Sequence, residues 1–195
     1  LLGFDESRPL LLITGASQGS ESINNLMIEL IGRPRFRETV ADWQVLHLAG
    51  PGRATPVQQA YLDRGVEGTV MPFHDRMGLA WAAADMAISR GGAGSVAEVI
   101  ANAVPAVFLP YPHHKDEHQK HNVQHLVDAG AAEVFADLVD PEANADQLEM
   151  PLLELITDGP RRRRMREMLR GMHQGDGAKL LADAAMELAG ASDEG

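Results

Sequence analysis

Short apolar runs alternate with helix-like stretches along most of this chain, and that alternation leaves few folds open to it. Residues 9–14, 43–48, 68–73, 86–89, 106–109 and 132–135 read as short, mostly apolar strands, and several are closed by Gly15, Gly50-Pro51-Gly52 or Pro110. A continuous apolar run reads as a strand covered on both faces, the pattern of a parallel sheet. Between the first two, residues 22–31 place Ile23, Leu26, Met27 and Leu30 on one helical stripe. Further helices are expected at 57–62, at 77–84, from the Gly91-Gly92-Ala93-Gly94 turn to about 102, and at 117–129. After Asp140-Pro141 only helices remain, roughly 144–157, 160–173 and 176–189. Repeated strand–helix units of this kind predict an α/β fold: a Rossmann-like, doubly wound parallel sheet of about six strands with right-handed crossovers and extra C-terminal helices. Such sheets bind ligands beyond the carboxyl ends of their strands, so the turns after the strands are where function is to be sought.

The chain has 195 residues, enough for one well-cored domain, and a single domain over 1–195 is expected. No apolar run reaches the roughly 18 residues a spanning helix needs, so no direct membrane insertion is expected. The N-terminal Leu1-Leu2-Gly3-Phe4-Asp5 has no basic region and no long apolar core, so these residues are not expected to be a secretion signal. It also lacks an initiator Met, and the chain reads as a piece of something longer. There is no Cys, so disulfides, thiolate zinc sites and Cys nucleophiles are out. The formal net charge of −11 argues against nucleic acid and against docking on anionic lipid. An anion must be bound locally, by backbone N–H groups and helix ends.

Three segments carry chemistry. Gly15-Ala16-Ser17-Gln18-Gly19-Ser20 joins the first strand to its helix. Small residues let the backbone approach a ligand, and a helix N-terminus favours negative charge. The segment fits a phosphate- or acceptor-facing loop of a transferase, and equally a plain tight turn. It also matches the G-x-S-x-G nucleophile elbow of a hydrolase, but that elbow needs earlier strands and an oxyanion loop, and only residues 1–8 precede this strand. The dinucleotide fingerprint fails because Ser17 stands at its second Gly.

Ser89-Arg90-Gly91-Gly92-Ala93-Gly94-Ser95-Val96-Ala97-Glu98 is the more specific segment. Glycines opening a helix expose free N–H groups and the helix dipole adds positive potential, which suits a diphosphate without a metal. Ser95 adds a hydroxyl. Glu98, about one turn further, could accept hydrogen bonds from both hydroxyls of a ribose. The plain alternative is a turn followed by a solvated glutamate.

The third segment runs from His113 and His114 to His125. On a helix, His118, His121 and His125 share one face, apart from the apolar Val123, Leu126 and Val127. The residues fit a metal site, a polar surface, or sugar binding by His118, Gln119 and Asn122. Phe73-His74 ends a strand at the same sheet edge and fits either base stacking or the core. Arg161-Arg162-Arg163-Arg164 with Met165, Met168, Leu169 and Met172 reads as a packed amphipathic helix with a solvated basic face rather than a membrane anchor.

Taken in order, these segments resemble the MurG family of inverting N-acetylglucosaminyltransferases. The resemblance rests on the Gly-Ala-Ser-Gln-Gly loop, on Pro72-Phe73-His74-Asp75-Arg76-Met77 with Ala84-Asp85, and on Ser89-Arg90-Gly91-Gly92-Ala93 with Ser95 and Glu98. It continues through Val104-Pro105-Ala106-Val107-Phe108-Leu109-Pro110, Asp116-Glu117-His118-Gln119 with Asn122, and Gly130-Ala131-Ala132, covering about residues 10–135 well and the terminal helices loosely. It implies the C-terminal, donor-binding half of a GT-B glycosyltransferase that binds UDP-N-acetylglucosamine without a cofactor or metal. Phe73 and the His74 backbone would then frame uracil and Glu98 would hold the ribose, with Met77 also among the donor-binding residues. Ser17, Gln18, Gly19, Arg90, Gly92, Ala93, Gly94 and Ser95 would surround the diphosphate. His118, Gln119 and Asn122 would contact phosphate or sugar. The acceptor, a lipid-linked muramyl-pentapeptide of bacterial peptidoglycan synthesis, would belong to a separate N-terminal domain, so no catalytic base is expected in this chain. The whole protein would be cytoplasmic, peripheral on the inner membrane. Ala16 departs from the family's usual second Gly, and Gly91 and Gly94 loosen the phosphate turn. Two alternatives therefore stay open: a donor-binding subunit of a related UDP-sugar transferase with another lipid acceptor, and a non-enzymatic His-rich metal-binding module.

Overall fold

A computed structural model describes residues 3–15, 18–112 and 118–172. Six parallel strands are hydrogen-bonded in the order β3-β2-β1-β4-β5-β6. They are β1 (Leu10–Thr14), β2 (Gln44–Leu48), β3 (Thr69–Met71), β4 (Met86–Ser89), β5 (Ala106–Phe108) and β6 (Ala132–Val134). Eight helices are described: α1 (Glu21–Gly32), α2 (Pro34–Val40), α3 (Ala54–Asp63), α4 (Met77–Ala83), α5 (Ala93–Asn102), α6 (His118–Asp128), α7 (Pro141–Thr157) and α8 (Gly159–Met172). The doubly wound expectation holds. The chain winds outward from β1 to β3, then returns to place β4 beside β1, so the order reverses between those two strands.

The pleat explains why the inner strands β1, β4 and β5 are almost wholly apolar. Successive side chains point to opposite faces, and both faces are covered. Leu11, Ile13, Val45, Met86, Ile88 and Val107 join α1, α2, α3 and α7 in one core. Leu10, Leu12, Leu46, Leu48, Ala87 and Phe108 join α4, α5 and α6 in the other. The terminal helices are tied in by Arg162, which donates to the carbonyls of Leu155 and Ile156 at the end of α7 and lies 4.8 Å from the Trp43 ring centre.

Several boundaries differ from expectation. Helix α2 was not foreseen: it starts on Pro34, whose missing N–H suits a first turn, but buries only Phe36 and Val40, too few for a periodicity. Helix α7 begins at Pro141 rather than 144 because Asp140 caps it by accepting from the Ala143 N–H at 2.8 Å. Helix α3 starts three residues early, at Ala54. The third strand ends at Met71, which leaves Pro72 and Phe73 in the loop beyond it. The helix expected at 176–189 lies outside the described residues.

Candidate functional site

At the carboxyl edge, the strand-order reversal is flanked by two clefts that meet at Gly92. Gly92 caps α5 with extended backbone (φ −66°, ψ 148°), no side chain caps the helix, and its first turn carries no acidic residue. The N–H groups of Ala93, Gly94 and Ser95 lack helical partners, since a helix leaves its first N–H groups unmet. Such an end is a place for an anion. The turn before it is held from below. A Cβ on Gly91 would lie 2.4 Å from the Gln119 carbonyl oxygen, so only glycine lets α6 approach so closely. Asn122 Nδ2 donates to the Gly91 carbonyl at 3.1 Å.

The smaller cleft, about 290 Å³, is walled by Leu48, Phe73, Met77 and Trp81 and closed by Gly94, Ser95 and Glu98. Phe73 is 53% exposed and stands at its mouth. His74 accepts the Arg76 N–H on Nδ1 at 3.0 Å, which fixes the loop between β3 and α4. The Glu98 carboxylate accepts from Asn102 Nδ2 on one oxygen at 3.1 Å; the other makes no hydrogen bond among the described residues. An aromatic-edged apolar slot with a half-satisfied carboxylate one helical turn from an uncapped N-terminus can take a planar ring, vicinal hydroxyls and an anion in that order.

The larger cleft, about 780 Å³, is the more polar of the two and borders Gln18, Gly19, Ser22, Arg53, Arg90 and Gln119. Gly19 is left-handed (φ +71°), and a Cβ there would lie 2.3 Å from the Ala49 carbonyl oxygen, so the loops after β1 and β2 abut backbone to backbone. Arg53 borders this cleft, is exposed, donates to the Gln18 carbonyl at 3.3 Å and has no ion pair among the described residues. Sequence reasoning passed over it because it sits in a bare Gly-Pro-Gly-Arg turn.

Arg90 is different. The residue is 6% exposed and both terminal nitrogens of its guanidinium are engaged. Nη1 donates to Asp137 Oδ2 at 2.6 Å and to the Leu109 carbonyl at 2.8 Å. Nη2 donates to Ser20 Oγ and Ser22 Oγ, each at 2.6 Å. Burial pushes the Asp137 carboxyl up, but hydrogen bonds from Ser22, Asn144, the Val139 N–H and Arg90 outweigh it and hold the group below the usual carboxylate range. Asp137 was not anticipated either.

The expected residues thus divide. Gln18, Gly19, Phe73, Met77, Gly92, Gly94, Ser95, Glu98 and Gln119 line the two clefts, as does Arg90 with its charge already paired. Gln119 also accepts the Tyr111 N–H at 2.9 Å. Ala93 and Asn122 instead border a shallow surface with His121 and His125, and the exposed His118 lines neither cleft. Ser17 lies outside the described residues, as do His113 and His114. Among the described residues no group of three or more His, Asp or Glu side chains could hold a metal ion.

Beneath the β1 and β2 loops lies a buried polar chain. His47, fully buried, contacts Tyr61 Oη at 3.2 Å through Nδ1 and Asn24 Oδ1 at 2.9 Å through Nε2. Asn24 Nδ2 donates to the Ala49 carbonyl at 3.0 Å, the same oxygen that Gly19 packs against. Burial pushes the His47 imidazole down to about 3 and the Tyr61 phenol up, so both are neutral. The signal was present in the sequence as polar residues inside apolar patterns, Asn24 on the α1 stripe and His47 in the β2 run.

Comparisons with known proteins agree with this geometry. Residues 10–182 match the glycosyltransferase family 28 C-terminal domain. A protein of Clavibacter michiganensis subsp. michiganensis named UDP-N-acetylglucosamine–N-acetylmuramyl-(pentapeptide) pyrophosphoryl-undecaprenol N-acetylglucosamine transferase is 38% identical over 183 residues, covering 93% of this chain and 46% of that protein. Its namesake from Halothermothrix orenii is 34% identical over 177 residues, covering 88% and 46%. The chain therefore spans about half the length of the curated relatives it matches. Among solved structures, MurG of Acinetobacter baumannii superposes with a TM-score of 0.72 at 27% identity, covering 95% of this chain and 52% of that one. The calicheamicin glycosyltransferase CalG4 superposes at 0.65 with 21% identity, a likeness of fold.

Proposed function

The chain belongs to the glycosyltransferase family 28 C-terminal domain family, and on that premise we propose that it is the donor-binding half of an inverting glycosyltransferase that moves N-acetylglucosamine from UDP to a lipid-linked muramyl-pentapeptide. The names of the relatives point to that donor and acceptor. The observation that carries the reading is the uncapped start of α5 standing between an apolar slot and a larger, more polar cleft, with Glu98 one turn on. In this reading uracil enters the slot against Phe73 and Met77, and Glu98 accepts from the ribose. The diphosphate meets the N–H groups of Ala93, Gly94 and Ser95, with Arg53 beside it. The sugar extends toward Gln18 and Gln119.

The reaction needs an acceptor hydroxyl to attack the anomeric carbon in line while the bond to the β-phosphate oxygen breaks. UDP leaves, the configuration inverts, and the hydroxyl proton passes to a base. Negative charge grows on the leaving diphosphate, where fixed N–H dipoles lower the barrier most effectively because they need no reorganisation. The base must stand on the acceptor side of the sugar, outside these two clefts. No helix among the described residues is long and apolar enough to cross a membrane, and the lipid acceptor and peripheral membrane contact are assigned to the rest of a longer protein.

Calorimetric titration with UDP-N-acetylglucosamine in the presence of a chelator, beside Glu98→Ala, tests the reading. Saturable binding that survives the chelator and weakens about tenfold in the variant is expected, the loss of one charge-assisted hydrogen-bond pair. Absence of binding at millimolar ligand would sink it.

A further inference from the structure

Sequence motif and charge both offer Arg90 as a ligand for the diphosphate, yet its surroundings assign it another task. Arg90 is 6% exposed and its terminal nitrogens bond Asp137, Ser20, Ser22 and the carbonyls of Leu109 and Pro110. Ser20 is the N-cap of α1, and Arg90 stands two residues before the N-cap of α5. One side chain therefore links the two helix starts that border the larger cleft. Asp137 completes the link from the loop after β6. Its Oδ2 takes Arg90 and the Ser22 hydroxyl at 2.5 Å, while Oδ1 takes the Val139 N–H and Asn144 Nδ2, each at 2.9 Å. The same bonds accompany a left-handed Val139 (φ +68°), a conformation unfavourable for a β-branched residue. Such strain persists only where the surroundings over-determine it.

We infer that Arg90 and Asp137 are positioning residues: as a buried ion pair they hold the start of α1, the turn before α5 and the loop after β6 in register, and the anion is met by backbone N–H groups aligned through that pair rather than by Arg90 itself. The inference rests on the donor-binding reading above. A guanidinium already neutralised by a carboxylate has little net charge to offer a phosphate. Its rigid fork suits bridging several acceptors, which a lysine cannot reproduce.

The two roles predict opposite signs for one substitution. Asp137→Asn removes a negative charge beside the anion and releases Arg90. If Arg90 were a direct ligand, UDP would bind tighter. If the pair positions the loops, UDP binds more weakly, by about tenfold for the loss of aligned charge-assisted geometry, while uridine, which lacks the diphosphate, keeps its affinity. Calorimetry with UDP and with uridine on the wild-type chain, Asp137→Asn, Arg90→Lys and Asn144→Ala reads this directly. Asn144 lines no cleft, so a selective loss of UDP affinity in Asn144→Ala reports action through Asp137, and that variant decides the matter if Asp137→Asn does not fold. General destabilisation would lower the melting temperature without separating UDP from uridine. Weaker UDP binding with unchanged uridine binding supports the inference. Equal or tighter UDP binding in Asp137→Asn or Asn144→Ala overturns it and leaves the donor reading intact. A wild-type chain that binds neither compound overturns both.

Discussion

His47 carries a protonation cost that only its surroundings reveal. Buried against Asn24 and Tyr61, it stays neutral down to about pH 3, whereas in the unfolded chain it titrates near 6.5. Above 6.5 neither state binds the proton and the stability is full. Between 6.5 and about 3 the unfolded chain binds it and the folded chain does not, so stability falls as the pH drops, by about 1.4 kcal/mol per pH unit at most. Urea unfolding should therefore show about 2 kcal/mol lost between pH 7 and pH 5 through this one group. His47→Gln should flatten that slope, and an unchanged slope would assign it elsewhere. Arg53 makes the complementary case at the surface. It is the exposed arginine of the larger cleft without an ion pair among the described residues. Arg53→Ala should weaken UDP binding several-fold, roughly the 1 kcal/mol at the upper end for an exposed ion pair, and leave uridine unaffected. Equal losses for both compounds would mean that Arg53 acts on the loop and not on the charge.

At the scale of elements, the glycines around α5 separate structural from functional need. Gly91 has no room for a methyl group, because the Gln119 carbonyl would lie 2.4 Å from it. Gly91→Ala should push α6 off the turn and destabilise the fold by about 1–3 kcal/mol. A Cβ on Gly94, in the first turn of α5, would instead stand in open space. Gly94→Ala should raise stability by about 0.5–1 kcal/mol through helix propensity while its methyl group narrows the smaller cleft and weakens ligand binding. Thermal melts and UDP titrations of the two variants check this pair; a stabilised Gly94→Ala with wild-type affinity would remove that residue from the site. The elements themselves were legible because a parallel sheet imposes continuous apolar runs on its strands, as in β1 and β4, and an apolar stripe on α1. Contacts between elements were not. Residue type made Asn122 a candidate for sugar binding but could not reveal that it turns to the Gly91 carbonyl, and nothing marked Asp137, 47 residues from Arg90, as that residue's partner. Helix α2 escaped because seven residues hold too few apolar positions to show a period.

For the molecule as a whole, the geometry divides the labour of the proposed reaction. Both clefts open at the carboxyl edge of the sheet, and the groups that line them suit a leaving nucleoside diphosphate: N–H dipoles, Arg53, and a carboxylate placed for sugar hydroxyls. A transferase must also hold an acceptor and remove its proton on the far side of the anomeric carbon, because inversion requires attack opposite the departing oxygen. The chain spans about half of its relatives' length, so binding and turnover should be separable. The 195-residue chain is expected to bind UDP-N-acetylglucosamine reversibly, equally well with and without chelator, if, as proposed, fixed dipoles rather than a bridging cation meet the anion. It is expected to release no UDP when given donor and a lipid-linked acceptor, while a protein extended to the relatives' full length releases UDP and sugar-transfer product in equal amounts. Following UDP release and product formation together decides the matter. Turnover by the 195-residue chain alone would show that acceptor and base sites already lie within it, and donor binding that vanishes with chelator would replace the dipole account of the diphosphate site with a metal-bridged one.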